Sequence, residues 1–301
     1  MPFGYGHGRG RGGGGGRLII GLIIALVGIV GYLRLPKFTN PETGETYRVA
    51  MSIDQEKQLG LQAAPEMAAK MGGALDPRHD PDAAMVSRVG HKMVESTNAG
   101  QSPYADNFHF YLLNDSKTVN AFALPGGQIF ITRALFDRFE TEAQLAGVLA
   151  HEIGHVIGQH SAQQMAKQRL GTAVATGAGV AASDRYGYGG IVAAQVANQM
   201  LQMRYGREDE TQSDDIGLRY MTQAGYDPRA MIRVMEILRE AGGGRSQPEW
   251  MSSHPLPDTR ISEIKQRIAA DYPNGVPETL TQGEPLRGGA IEVQGRVGRL
   301  R

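Results

Sequence analysis

The chain of 301 residues contains no cysteine. That absence excludes disulfide bonds, a cysteine nucleophile and cysteine-ligated zinc. The chain also has no excess of charge of either sign, because 31 lysines and arginines balance 31 aspartates and glutamates. Because there is no global basic field to suggest nucleic acid, we expect no nucleic-acid partner. RNA binding by the arginine-glycine repeats of residues 1–17 is the weaker alternative.

What is present is a short histidine motif, His151-Glu152-Ile153-Gly154-His155. Histidines four residues apart project from nearly the same face of a helix and can bind one metal ion. Glu152 can reach a water on the same ion. This H-E-x-x-H pattern is typical of zinc peptidases and supplies two metal ligands and a general base. The alternative is a pair of ordinary core or surface histidines.

The sequence around the motif predicts a buried helix. Residues 141–144 (Thr-Glu-Ala-Gln) form the pattern of a capping box, and apolar residues follow at helical spacing. Gly147, Gly154 and Gly158 weaken an isolated helix, so we expect them to allow close approach of another backbone.

The N-terminal region predicts a membrane anchor. Residues 1–17 form a flexible arm of glycine and arginine, and residues 18–35 are an apolar run close to the lower limit of about 17–25 residues for a spanning helix. A cleaved signal peptide and a buried core helix are the alternatives. We expect a single-pass helix with the N-terminus cytoplasmic, followed by a linker over residues 36–51, with the main domain outside the cytoplasm.

The main domain, residues 52–272, predicts a mainly helical α+β fold. Helices are expected over 52–71 and 82–98, and short strands over 107–113, 118–124 and 128–132. The small sheet directly precedes the metal helix. Its exposed edge either binds an extended peptide by strand addition or only covers that helix.

Three segments beyond the motif carry weaker signals. His160 falls off the face of the two ligand histidines, which indicates a structural role or one behind a ligand. Residues 171–198 are rich in glycine and alanine and form either a mobile cover over the active site or a packed helical hairpin. Residues 273–301 have little periodicity, so we expect a loosely ordered tail.

A catalytic zinc usually has a third protein ligand. The candidates lie in an acidic stretch, where Glu208 and Asp209 have the alternative of complementing a helix dipole. Glu210 and Asp214 are four residues apart on one helix face, so one can bind metal while the other holds a ligand histidine. Spacing alone does not choose between Glu208 and Glu210.

Several motifs in this order resemble the HtpX-like and CAAX-prenyl-protease-like zinc metallopeptidases, over about residues 50–270. They are Asn120-Ala121-Phe122-Ala123-Leu124-Pro125-Gly126-Gly127, His151-Glu152-xx-His155, Glu210-xxx-Asp214 with Gly217, Ala224-Gly225-Tyr226-Asp227-Pro228 and Ser253-His254-Pro255-Leu256-Pro257-xx-Arg260-Ile261. One departure is Gln212-Ser213-Asp214 where Glu-Ala-Asp is commoner, and it removes no proposed ligand. The resemblance implies a zincin-like domain, and the one anchor resembles the single-anchor or periplasmic branch.

The resemblance also implies a role for each matching residue. His151, His155 and Glu210 would bind one Zn²⁺, and Asp214 would orient a ligand histidine. Glu152 would act as the base, and His254 and Arg260 would approach the substrate oxyanion. A peptide would lie along the strand at Asn120, Ala121 and Phe122.

The function expected from these observations is a membrane-anchored, zinc-dependent metalloendopeptidase acting on polypeptides in envelope protein quality control. The alternative, from a different class, is a zinc-stabilised, chaperone-like module that holds misfolded envelope proteins without cutting them.

Overall fold

The computed structural model describes residues 14–182, 203–242, 248–254 and 258–286. The helices are α1 (Gly14–Leu33), α2 (Ile53–Lys70), α3 (Pro81–Glu95), α4 (Arg133–Phe136), α5 (Glu142–Ile157), α6 (His160–Ala182), α7 (Arg207–Gln223), α8 (Ala230–Gly242), α9 (Glu249–Ser253) and α10 (Asp258–Asp271). The strands are β1 (Lys37–Thr39), β2 (Thr46–Arg48), β3 (His109–Leu113), β4 (Ala121–Leu124) and β5 (Gln128–Thr132), and two short 3-10 helices cover Asn98–Gln101 and Ala105–Asn107. The expected mainly helical α+β fold is confirmed.

The three strands before the motif form one sheet in the order β3-β5-β4. Strand β3 pairs in parallel with β5, and β4 pairs antiparallel with β5. The turn between β4 and β5 needs glycine, because Gly126 has φ +84° and a Cβ there would lie 2.5 Å from Cα of Lys57 in α2. Strand β4 is thus a short strand at the edge of the sheet, and it lies beside the motif helix.

Helix α5 carries the histidine motif and is buried along its whole length, as the sequence predicts. The predicted capping box does not form. The Thr141 side chain makes no bond to the helix backbone, and Gln144 accepts from the backbone N–H of Glu140 instead. The free N–H groups of the first turn are bound from elsewhere in the chain, which a local pattern cannot reveal.

The partner of that first turn is the end of the described chain. The N–H groups of Glu142 and Ala143 donate to the carbonyls of Glu284 and Gln282, each at 2.9 Å. Leu286 is buried, and its N–H donates to the carbonyl of Glu140. Residues 281–286 therefore pack on the domain, contrary to the loose tail expected there. Residues 287–301 lie outside the described part.

Helix α7 crosses α5 at very short range. A Cβ at Gly154 would lie 3.1 Å from Cα of Ser213, and a Cβ at Gly217 would lie 3.4 Å from the backbone nitrogen of His151. Glycine is thus used for close helix approach at Gly154, as expected. At Gly147 the nearest atoms belong to methionine side chains at ordinary contact distance. This crossing brings the acidic stretch of α7 to the histidines of α5.

The region expected to be a linker is structured. Strands β1 and β2 form an antiparallel hairpin, and Asn40 in its turn is fully buried. Before it, α1 packs on α6, where a Cβ at Gly28 would overlap Ala173. Within the described ranges, no helix has both the length and the continuous apolar character needed to cross a membrane.

The segment considered as an active-site cover is only partly described. Residues 171–182 continue helix α6. The remaining residues of that segment, 183–198, lie outside the described part of the chain.

Candidate active site

Four buried side chains meet where α5, α7 and the end of α9 converge: His151, His155, Glu210 and His254. The Nε2 atoms of His151 and His155 are 3.1 Å apart. The Glu210 carboxylate lies 3.6 Å from the first and 3.5 Å from the second. His254 Nδ1 lies 3.0 Å from Glu210 Oε1 and 3.3 Å from His151 Nε2. Glu208, the competing candidate for this position, is exposed.

The donor set fits a tetrahedral metal. Nitrogen and oxygen ligands about 2.0–2.1 Å from a central zinc stand about 3.3 Å from one another. Five contacts among the four side chains, two of the three to Glu210 made by its Oε1 and one by its Oε2, span 3.0 to 3.6 Å, and one ligand atom from each side chain lies within 4.8 Å of all the others. Imidazole and carboxylate are also the ligands that zinc accepts when cysteine is absent. The residues present therefore fit a zinc ion.

The outer nitrogen of each motif histidine is held by another side chain. His151 Nδ1 lies 3.0 Å from Asp214 Oδ1. His155 Nδ1 lies 2.8 Å from Nδ1 of His160, so His160 stands directly behind a motif histidine. Such contacts leave the Nε2 atoms free to face the centre of the group.

Arg260 is buried behind the two acidic residues of the site. Its guanidinium is 1% exposed and donates to both Glu210 Oε2 at 2.7 Å and the two Asp214 oxygens at 2.7 and 2.8 Å. Its approach to the substrate oxyanion stays a prediction. Arg260 lies behind the acidic residues and holds their carboxylates in place.

His254 presents its Nδ1 to the donor group, and its approach to the substrate oxyanion stays a prediction. Its ring stacks on Trp250 at 4.7 Å between centroids and lies 5.1 Å from the ring of Tyr205. Tyr205 in turn stacks on His155 at 4.0 Å. The sequence gives no signal for Tyr205, whereas the position of Trp250 one helical turn before His254 is a signal that the two rings share a face.

Glu152 is buried beside the donor group and keeps a free oxygen. Its Oε1 has no hydrogen-bond partner among the described residues and lies 3.6 Å from Nε2 of His254, which also has none there. A carboxylate oxygen that no described residue hydrogen-bonds, next to the donor group, is placed to accept a proton.

The electrostatics of the site favour a charged Glu210 and a neutral His155. Burial opposes ionisation of Glu210, but His254 and Arg260 hold its pKa well below the ordinary value. Burial lowers the pKa of His155 well below the ordinary value and also lowers that of His160. For His254, burial is outweighed by Glu210 and Glu152, so its pKa is raised.

The predicted substrate strand borders a cleft next to this group. Asn120 and Phe122 line the cleft together with Tyr205 and His254. The side-chain oxygen of Asn120 is buried and has no hydrogen-bond partner among the described residues. Ala121 is fully buried, so its side chain offers no surface to a ligand.

The site is built from three elements: a helix with two histidines, an acidic helix that crosses it, and the edge of a sheet beside it. This arrangement is that of a metallopeptidase. A model of peptidase family M48 matches residues 81–268, more than half of the chain. The chain therefore belongs to peptidase family M48, which confirms the resemblance drawn from the motifs.

Named relatives agree with this membership. The chain is 32% identical over 235 residues to the beta-barrel assembly-enhancing protease of Yersinia pestis, covering 75% of this chain and 46% of that protein. It is 30% identical over 217 residues to the mitochondrial metalloendopeptidase OMA1 of Schizosaccharomyces pombe, covering 72% and 62%. The chain thus spans about half to two thirds of the length of these relatives.

Proposed function

We propose that this protein is a zinc-dependent metalloendopeptidase in which His151, His155 and Glu210 bind the metal and Glu152 is the general base. The observation that carries the proposal is the set of imidazole and carboxylate atoms at 3.0–3.6 Å with the free Glu152 oxygen beside it. Zinc, when bound, supplies a Lewis acid that activates water and polarises the scissile carbonyl.

Each protein group then has a defined task. Glu152 accepts the proton of the attacking water through its free carboxylate oxygen and delivers it to the leaving amine. Asp214 holds the ring of His151, and Arg260 holds the carboxylates of Glu210 and Asp214. His254 fills the fourth position of the donor group in this conformation, and a catalytic site needs one position open. His254 must therefore leave that position before a peptide can bind.

The substrate would lie along β4. This strand is at the edge of its sheet, so one side of its backbone can pair with an extended peptide. Asn120 stands at the start of the strand, and its buried side-chain oxygen, which no described residue hydrogen-bonds, can accept from a peptide N–H. The substrates proposed are polypeptides, and the names of the relatives favour proteins of the cell envelope or an organelle membrane.

Membrane attachment through residues 18–35 is part of the proposal. Aliphatic side chains are exposed all along the described part of α1, including Leu22 at 67% and Val27 at 65%. Exposed aliphatic surface of this extent is favourable in an apolar phase and costly in water. We propose a cytoplasmic N-terminus and an extracytoplasmic catalytic domain that serves envelope protein quality control.

The test is peptidase activity and zinc content of the full chain, wild type beside Glu152→Gln. We expect one zinc per chain in both proteins, casein cleavage that stops with a chelator in the wild type, and loss of about 10²–10⁴-fold in the variant. Glu95→Gln, the same change at an exposed helix position, is the control. Full turnover by Glu152→Gln would refute the assigned base.

The same assay separates peptidase from chaperone-like module. A pure holding function predicts suppression of aggregation that does not change in Glu152→Gln, with no casein cleavage by the wild type. An intact buried carboxylate beside the donor group favours the peptidase, because holding a misfolded protein requires no base.

A further inference from the structure

A buried chain of hydrogen bonds connects the β1–β2 turn to His155. Asn40 Nδ2 donates to Gln212 Oε1 at 2.7 Å, and the same oxygen lies 2.9 Å from His160 Nε2. His160 Nδ1 lies 2.8 Å from His155 Nδ1. Exposure of these four side chains runs from 0% for Asn40 to 8% for Gln212, so water does not compete for these bonds.

The far side of Gln212 fixes which way its amide points. Gln212 Nε2 lies 2.6 Å from the Glu45 carboxylate, which can only accept when ionised, and 2.6 Å from the Tyr47 hydroxyl. The amide oxygen must therefore face Asn40 and His160. An acceptor oxygen at 2.9 Å requires His160 to carry its proton on Nε2.

The position of the proton on His160 determines which nitrogen of His155 carries a proton. With Nε2 protonated, neutral His160 presents a lone pair at Nδ1, where the Ser213 hydroxyl also lies at 3.3 Å. The lone pair can accept the Nδ1–H of His155. His155 then presents the lone pair of its Nε2 to the donor group, which is the form that binds a metal ion.

The Nδ1 atoms of the two motif histidines thus contact different kinds of group. His151 faces the ionised Asp214, whereas His155 faces a neutral relay that ends at an amide. A hydrogen bond to a neutral acceptor is weaker than one to a carboxylate, so the form of His155 depends on the whole relay being in place.

From this geometry we infer that Gln212 is a positioning residue that fixes the metal-binding form of His155 through His160, and that Asn40 fixes Gln212. The β1–β2 hairpin is therefore part of the metal centre and not a passive tether between α1 and the domain. This inference rests on the metal role proposed for His155.

The test compares Gln212→Met with Gln212→Glu in the full chain. Methionine preserves approximate size but removes the acceptor, whereas glutamate keeps an acceptor oxygen at the same position. The Gln212→Glu protein also carries Glu45→Gln, so that an amide and a carboxylate still face each other there instead of two carboxylates. The first readout is the ¹⁵N NMR signature of His155 in zinc-free protein, and the second is zinc affinity by chelator competition. Gln223→Met, at an exposed position on the same helix, is the control.

In Gln212→Met we expect His155 to lose its single Nδ1–H form and zinc affinity to fall about tenfold, within the 10–100-fold range of comparable outer contacts. Gln212→Glu should keep the Nδ1–H form. Asn40→Ala should show the same change as Gln212→Met to a smaller degree. If Gln212→Met does not fold, Asn40→Ala tests the inference in its place.

Unchanged His155 signals and zinc affinity in both Gln212→Met and Asn40→Ala would overturn the inference. Equal losses in Gln212→Met and Gln212→Glu would also overturn it, because packing alone would then explain the effect. A wild type that binds no zinc would instead refute the proposed function, so the two failures are distinguishable.

Discussion

Asp214 Oδ1 accepts from the Nδ1 of His151 at 3.0 Å and from Arg260 at 2.7 Å, so one carboxylate joins a candidate metal ligand to a buried cation. We predict that Asp214→Ala lowers zinc affinity about 10–100-fold, because His151 loses the contact that fixes its ring. Chelator competition measures this. Asp215→Ala removes the adjacent, half-exposed carboxylate and should change the affinity little. Equal losses in both variants would contradict the assigned role.

Arg260 gives a second prediction. Removing a buried cation leaves Glu210 and Asp214 as neighbouring buried carboxylates without their counter-charge, a change that costs about 3–5 kcal/mol. We predict that Arg260→Gln lowers the free energy of unfolding more in zinc-free protein than with zinc, because bound zinc compensates part of the charge. Denaturant unfolding with and without zinc measures the difference. An oxyanion role would instead lower kcat and leave this difference as in the wild type.

Two roles of His254, as an occupant of the fourth ligand position or as a group that stabilises the oxyanion, predict different peptidase activities when it is replaced. If His254 only fills the fourth place of the donor group, His254→Ala leaves three ligands and an open position, so zinc should stay bound and cleavage of a short peptide should be at least as fast as in the wild type. A residue that stabilises the oxyanion would cost about 10²–10³-fold in kcat when removed. Initial rates at saturating peptide decide between them.

The buried carboxyl group of Glu56, away from the metal group, should make the free energy of unfolding depend on pH. Burial raises the pKa of this carboxyl to about 7, against the stabilising effect of hydrogen bonds from Tyr104 and from Gln159 at 2.6 Å. Because the folded-state pKa lies above the unfolded value, the folded state holds its proton more tightly. Stability is greatest below about pH 4.5 and is lost as pH rises to about 7, by about 3 kcal/mol at most.

We therefore predict that Glu56→Gln is more stable than the wild type at pH 8 and nearly equal at pH 4.5. The introduced amide can donate to the buried Gln159 Oε1, which has no partner among the described residues. Urea unfolding at the two pH values measures the difference, and Glu66→Gln, exposed on the same helix, is the control. A variant whose advantage is the same at both pH values would show that Glu56 does not titrate in this range.

Much of the local structure follows from short-range patterns. Ser52 forms the capping box expected of it with Gln55, and the strands around residues 107–132 form close to their predicted positions. The Thr141 capping box does not form, because the Thr141 hydroxyl donates to Gln282 Oε1 and Gln144 Oε1 accepts from the N–H of Glu140. No local rule includes a partner as far along the chain as Gln282.

The sequence by itself determined that His151 and His155 share one face of a buried helix with Glu152 between them, because the pitch of a helix fixes neighbours four residues apart. Tertiary structure decided which acidic residue completes the group. The close crossing at Gly154 and Gly217 turns Glu210 inward and leaves Glu208 in solvent. It also decided that His254 joins the donors and that Arg260 lies behind them, because contacts between distant segments depend on packing and not on spacing along the chain.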